Sequence, residues 1–175
     1  MPAKKTKAAF HAVWPTAWGP MGAAAGPRGL TRLVLPHYQA DDLAELLAWE
    51  CPGSARSDEP FQEIAELSRA YFNGRTVDFG SVSCDLPGEN TFMGKVLRAC
   101  RQVPYGQTVS YGELARRVGR PDAARAVASG MSKNPIPLVI PCHRVTYADG
   151  RLGGFSAPGG VAVKRRMLAL EAGGA

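Results

Sequence analysis

Apolar residues in the first half of the chain alternate between short extended runs and one-sided helical stripes. The segments AAFHAVWPTAW (8–18) and TRLVLP (31–36) read as strands. Between them GPMGAAAGPRG (19–29), rich in glycine and proline, reads as a turn or flexible loop. Asp41–Glu50 opens with acids and then turns apolar, as a short helix does. From Phe61 apolar residues recur at Ile64, Ala65, Tyr71 and Phe72, with Ser68 interrupting the stripe and Asn73-Gly74 stopping the helix. TVDFGSVSCDL (76–86) reads as a further strand, and PGEN (87–90) as a linker. The pattern predicts an α/β N-terminal domain over 1–88, a small, mainly antiparallel sheet with helices.

The second half, 89–175, predicts a mainly α domain. A helix is expected over Phe92–Arg101. Ser110-Tyr-Gly-Glu113 has capping-box spacing, the serine capping and the glutamate reaching back. Behind it Tyr111, Leu114, Ala115 and Val118 share one face. Gly119 permits a turn, and Pro121 suits the first turn of a second helix. On that helix Ala123, Val127, Gly130 and Met131 point inward, leaving Arg125, Ala128, Ser129 and Ser132 outside. Two short helices joined this way form a helix-turn-helix pattern, which an ordinary helical hairpin also fits. The small exposed side chains allow close approach to a nucleic-acid backbone, and the lone arginine among them suits reaching inside a groove.

Composition narrows the function. The 175 residues, 45% hydrophobic, suffice for one good-sized domain or two small ones. A formal net charge of +6 favours an anionic partner, nucleic acid being the commonest. No run approaches the length of a membrane-spanning helix, so no membrane association is expected. The basic start MPAKKTKAAFHAVW has too short an apolar run for a signal peptide and reads as disordered. Cys51, Cys84, Cys100 and Cys142 are scattered singly, which argues against a zinc ribbon or a disulfide framework and fits a reducing cytoplasm. His11, His37, Cys51 and Cys84 carry metal-binding side chains but no motif spacing, so neither metal nor cofactor is expected.

The chemistry concentrates in NPIPLVIPCHRV (134–145), an apolar run braced by three prolines that ends in Cys142-His143-Arg144. A thiol becomes a strong nucleophile when a base and an electropositive setting favour its thiolate. A buried structural cysteine beside a surface histidine fits the same residues. Downstream, VAVKRRMLALEAGG (161–174) reads as a helix with Val163, Met167 and Leu168 inward and Glu171 on their face. A carboxylate there needs a partner unless the helix end frays into solvent. His143 is the candidate, completing a Cys-His-Glu relay of the kind used by cysteine hydrolases.

Together, SYGELA, ARAV, NPIPLVIPCHRV and the GGFSAPGG segment with its following helix closely resemble the O6-alkylguanine-DNA alkyltransferases, also called methylated-DNA–protein-cysteine methyltransferases. The resemblance is continuous from about Phe92 to Glu171 and looser before it, chiefly through LSRAYFNGRTVDF. It implies irreversible, single-use transfer of an alkyl group from O6 of guanine in double-stranded DNA to Cys142, with O4 of thymine a further possible target. His143 and Glu171 then match the activating pair, Tyr111 the proton donor to the leaving guanine, and Asn134 the hinge between recognition helix and active site. Arg125 matches an intercalating finger that replaces the extruded nucleotide in a minor-groove complex. Tyr111, Ala124, Gly130 and Ser110 join it as expected DNA contacts.

Pro137, Val145, Phe155, Ser156 and Met131 are the expected pocket residues. Proline at 137 matches members that accept bulky groups, and Phe155 stands where some members carry tyrosine. Met93 occupies a position often held by glutamine. The resemblance implies a monomer, acting in the cytoplasm or, in a eukaryote, the nucleus. The alternatives are a non-catalytic alkyltransferase-like lesion binder, a cysteine hydrolase, and a helix-turn-helix transcription regulator.

Overall fold

A computed structural model describes residues 7–173; residues 1–6 of the basic start lie outside the described residues. The chain divides into two compact units, one through Asp85 and one from Leu86 onward.

In the first unit β1 (Phe10–Thr16), β2 (Gly19–Gly26) and β3 (Gly29–Val34) form an antiparallel meander. After α1 (Ala40–Glu50), the short β4 (Ala55–Arg56) pairs parallel to β1, giving the order β3-β2-β1-β4. The segment expected as a flexible loop is therefore the central strand β2. Its small residues answer a packing demand rather than a need for flexibility. Leu43 and Leu47 of α1 pack with Ala24, Val34 and Cys51 on one face. A Cβ at Gly22 would stand 2.7 Å from Leu47 Cδ1. The opposite face carries Trp14, which stacks on Phe61 and donates from Nε1 to Ser68 Oγ at 2.8 Å. Ser68, on α2 (Gln62–Phe72), is thus a buried bond of the core rather than a break in its stripe.

The strand expected over 76–86 does not form. Only Cys84 bridges to Leu30, held by Leu30 N to Ser83 O at 2.9 Å and Asp85 N to Leu30 O at 2.8 Å. Upstream, the Asp78 carboxylate accepts from Gly80 N at 2.8 Å and turns the chain out of line.

The second unit opens with PGEN clasped to α3 (Phe92–Arg101) instead of running free. Gly88 O accepts from Thr91 N and Oγ1, and Arg98 Nη1 donates to Pro87 O at 2.8 Å. Thr91 caps the helix through Gly94 N at 3.0 Å. Next, β5 (Val109–Ser110) leads into α4 (Tyr111–Arg117), and a 3₁₀ turn over Pro121–Ala123 leads into α5 (Ala124–Met131). This is the helix-turn-helix, turned at Gly119 with φ of +74° and packed on α3 through both of its helices. Ser110 Oγ accepts from Glu113 N at 3.0 Å as expected. The Glu113 side chain does not reach back; it takes the Arg117 guanidinium one turn on, a charge pair that competes with the reciprocal half of the box.

A 3₁₀ turn at Cys142–Arg144 then runs into β6 (Val145–Thr146), parallel to β5. That pairing sets the start of α4 beside the exit of the cysteine turn. The last helix is α6 (Gly160–Glu171). Among the described residues no helix is long and apolar enough to cross a membrane, and no group of three or more His, Cys, Asp or Glu could hold a metal ion.

Candidate active site

Asn134, just beyond α5, is buried and organises the strap that follows. Its Oδ1 accepts from Ile136 N at 3.0 Å, while Nδ2 donates to Ile140 O at 2.8 Å and to Cys142 Sγ at 3.1 Å. Ile140 N also donates to Ile136 O, closing a tight loop in which Leu138 takes φ of +78°. A branched side chain in the left-handed region costs on the order of 1–3 kcal/mol, so the surrounding bonds must hold it there. The prolines and aliphatics of the strap are what bury this loop: Ile136, Pro137, Leu138, Val139 and Ile140 are all inaccessible.

Cys142 is buried, and burial pushes its thiol pKa up. Opposing that are the Asn134 hydrogen bond, the Lys164 charge and the backbone N–H groups of Cys142 and His143. The resting side chain is therefore a thiol whose anion is already provided with donors.

His143 is wholly buried, with Nε2 2.7 Å from Glu171 Oε1. Burial lowers its pKa, so the ring is neutral near pH 7. With Nε2 committed to the carboxylate, Nδ1 is the ring nitrogen through which a proton could be exchanged. Burial alone would raise the Glu171 carboxyl, but the bonds from His143 and Arg144 outweigh it and bring its pKa to about 2. Arg144 donates to it from Nε at 2.9 Å and Nη2 at 3.0 Å, and Gly106 N adds a bond at 3.0 Å. Glu171 is therefore anchored, not frayed, and stays ionised whatever the state of His143.

Two buried cations were not expected in the site. Arg144 also donates to Val103 O at 2.7 Å, tying α6 to the loop after α3. Lys164, fully buried, donates to Val145 O at 2.6 Å and lies 5.9 Å from the Tyr111 ring. One signal pointed to Lys164: it precedes Met167 and Glu171 by three and seven residues, the spacing of one helix face. Val163, expected inward, is only half-buried, as is Leu168.

Tyr111 is buried, and burial raises its phenol pKa to about 12, so it keeps its proton. Its hydroxyl lies so close to Gly153 that a Cβ there would be 2.2 Å away.

Of the remaining expected residues, Arg125 is exposed on α5 beside half-buried Ala124, and Ser110 caps α4. Gly130 is turned inward instead, its missing Cβ making room for Met93, whose Cε would lie 2.7 Å from it. This gives Met93 a packing role and leaves Gly130 off the exposed face of α5. Met131 is buried, Pro137 and Val145 are buried in and after the strap, and Phe155 and Ser156 lie on the loop before α6, half-buried and exposed.

A buried, donor-supplied thiol adjacent in sequence to a histidine–carboxylate pair, in one unit with a helix-turn-helix, is the arrangement that a nucleophile serving a nucleic-acid-binding domain would need. Comparison with known proteins agrees. Residues 91–173 match the family described as 6-O-methylguanine DNA methyltransferase, DNA binding domain. The methylated-DNA–protein-cysteine methyltransferase of Mycolicibacterium paratuberculosis is 43% identical over 119 residues, 68% of this chain and 70% of that protein. That of Methanosarcina acetivorans is 39% identical over 124 residues, 70% of this chain and 76% of its own length. Matches to other curated relatives, such as that of Mycobacterium bovis, span 65% of their length. The structure of Mycobacterium tuberculosis OGT in complex with DNA superposes with a TM-score of 0.77 at 32% identity, covering 95% of this chain and 94% of that one. The chain belongs to the methylated-DNA–protein-cysteine methyltransferase family.

Proposed function

We propose that this protein repairs DNA by moving an alkyl group from O6 of guanine onto Cys142 in a single, irreversible event. The observation that carries this reading is the bond from Asn134 Nδ2 to Cys142 Sγ beside the His143–Glu171 pair. Neutral His143 takes the thiol proton, and the sulfur attacks the alkyl carbon. The carbon–O6 bond breaks as the carbon–sulfur bond forms, and the departing guanine anion is protonated at N3 by Tyr111. The proton given up by the thiol balances the one supplied to guanine. The product thioether is stable, so each chain reacts once.

Charge supports a DNA partner for the second unit. From Leu86 onward the chain carries 13 Lys+Arg against 5 Asp+Glu, net +8, whereas residues 1–85 carry 8 against 10, net −2. Such a field favours duplex binding dominated by phosphates. Arg125, exposed on α5, would enter the duplex and hold the gap left by the extruded base. Pro137 is buried in the strap, and proline at that position matches relatives that accept bulky alkyl groups, so O6-benzylguanine should inactivate the protein as a free base. The four cysteines are thiols rather than disulfides, which suits a reducing compartment.

The test is stoichiometry. A duplex carrying isotopically labelled O6-methylguanine should transfer label to protein up to one equivalent per chain and then stop. Continued turnover would point to a hydrolase; tight binding without transfer would point to a lesion binder.

A further inference from the structure

Beyond the reactive thiol, one exposed feature stands directly against the site. The turn from Tyr147 to Arg151 is closed by Tyr147 N to Arg151 O at 2.9 Å and Gly150 N to Tyr147 O at 3.0 Å. Its tip, Gly150, has φ of +80° and nothing within 4 Å of its missing Cβ. Tyr147 sets its ring edge against buried Tyr111, with centroids 5.3 Å apart and planes at 67°. Among the described residues it is one of the few large apolar side chains left exposed, at 47%. The Arg151 guanidinium lies over that ring at 5.6 Å and donates from Nε to Asp149 Oδ2 at 2.6 Å. Both members of the ion pair are largely solvated, their side chains 78% and 52% exposed. A solvated pair of this kind contributes little, so the arginine can exchange its partner at small cost.

We propose that this turn is a second DNA-contacting element, in which Arg151 neutralises a backbone phosphate beside the extruded nucleotide and Tyr147 holds both Arg151 and Tyr111 in place. The inference rests on the alkyl-transfer reading above, which puts the lesion next to Tyr111. The chemistry matches: a cation laid on an aromatic ring keeps its charge outward and its position fixed, as phosphate recognition beside a base-binding pocket requires. Asp149 serves the free protein, occupying the guanidinium until a phosphate takes over. The turn belongs to the unit that carries the net charge of +8, so its setting favours an anion.

The salt dependence of binding to an unmodified duplex tests this without any reaction taking place. Each phosphate contact contributes about 0.9 to the slope of log K against log salt. R151A should therefore reduce the magnitude of that slope by about 0.9, and R151K should restore it, which separates charge from misfolding. D149N, which removes the competing carboxylate, should tighten binding. On a methylated duplex at saturation, Y147A should slow transfer by up to about tenfold, the worth of one aromatic pair, while Y147F should not. An R151A slope equal to that of the wild type, or weaker binding by D149N, would overturn the inference. If the wild-type chain binds and transfers while R151A keeps the full slope, only this inference falls. If the wild type neither binds duplex nor transfers, the alkyl-transfer reading falls with it.

Discussion

Asn134 Nδ2 donates to Cys142 Sγ across 3.1 Å, while the other bonds of the same amide fix the strap between α5 and the cysteine. One side chain thus links the end of α5 to the state of the sulfur. Asn134→Ala would strip partners from the buried Ile136 N–H and Ile140 carbonyl, and should destabilise the fold by on the order of 2–4 kcal/mol in urea unfolding. Asn134→Asp keeps an acceptor for Ile136 but sets a negative charge against the sulfur. Its transfer rate at neutral pH should fall and its pH–rate curve should move to higher pH.

Acid stability follows from the His143–Glu171–Arg144 group. His143 is held below its ordinary pKa by burial, so as pH falls through about 6.5 the unfolded chain takes up a proton that the folded ring refuses. Stability is therefore full above that pH and declines below it. The Glu171 carboxyl, brought from near 4.5 to about 2, adds a second loss between those values, on the order of 3 kcal/mol in all. Denaturant melts from pH 7.5 to 3 should show both phases. In Glu171→Gln the lower phase should vanish, and stability at pH 7 should already be reduced because Arg144 remains buried with half its partners gone.

Lys164 offers a separation of chemistry from folding. Its charge favours the Cys142 thiolate, yet burying an ammonium is itself unfavourable. Lys164→Met preserves shape and removes the charge. Thermal stability should fall only modestly, since relief of the buried charge offsets the donor lost to the Val145 carbonyl, whereas the transfer rate at pH 7 should drop and recover as pH is raised.

Two glycines should respond differently to alanine. At Gly153 the new methyl would meet the Tyr111 hydroxyl at 2.2 Å and ring carbons at 2.9 Å, within a buried tyrosine that cannot move freely. Gly153→Ala should slow alkyl transfer strongly while leaving duplex affinity largely intact. At Gly130 the methyl would meet only the flexible end of Met93, so Gly130→Ala should cost no more than about 1–3 kcal/mol in stability. Single-turnover kinetics and anisotropy titrations of the two variants check both outcomes.

The second unit was legible where its signals were local. The Ser110 cap, the stripe from Tyr111 to Val118 and the Gly119 turn each lie within a few residues of what they determine. So did the inward Glu171, because a carboxylate on an apolar face demands a partner. Strand β2 was not legible. Its glycines and alanines are small because Leu43 and Leu47 press on them from a helix some twenty residues away, and nothing near them in sequence says so. Arg144 and Lys164 were missed for a related reason. Cations are ordinarily solvated, and only the tertiary fold reveals the Glu171 carboxylate and the Val145 carbonyl that hold them inside. Over 76–86 the apolar pattern suggested a strand, but the Asp78–Gly80 turn leaves only a single bridge at Cys84.

The central claim is that Cys142 receives the alkyl group. Intact-protein mass spectrometry after mixing the chain with a duplex holding one O6-methylguanine measures it directly. A gain of one methyl group, mapping to the Cys142 peptide and absent from Cys142→Ser, is the predicted result. A chain that binds this duplex tightly yet never changes mass would contradict it, and would make Cys142 a structural residue of a lesion-binding protein.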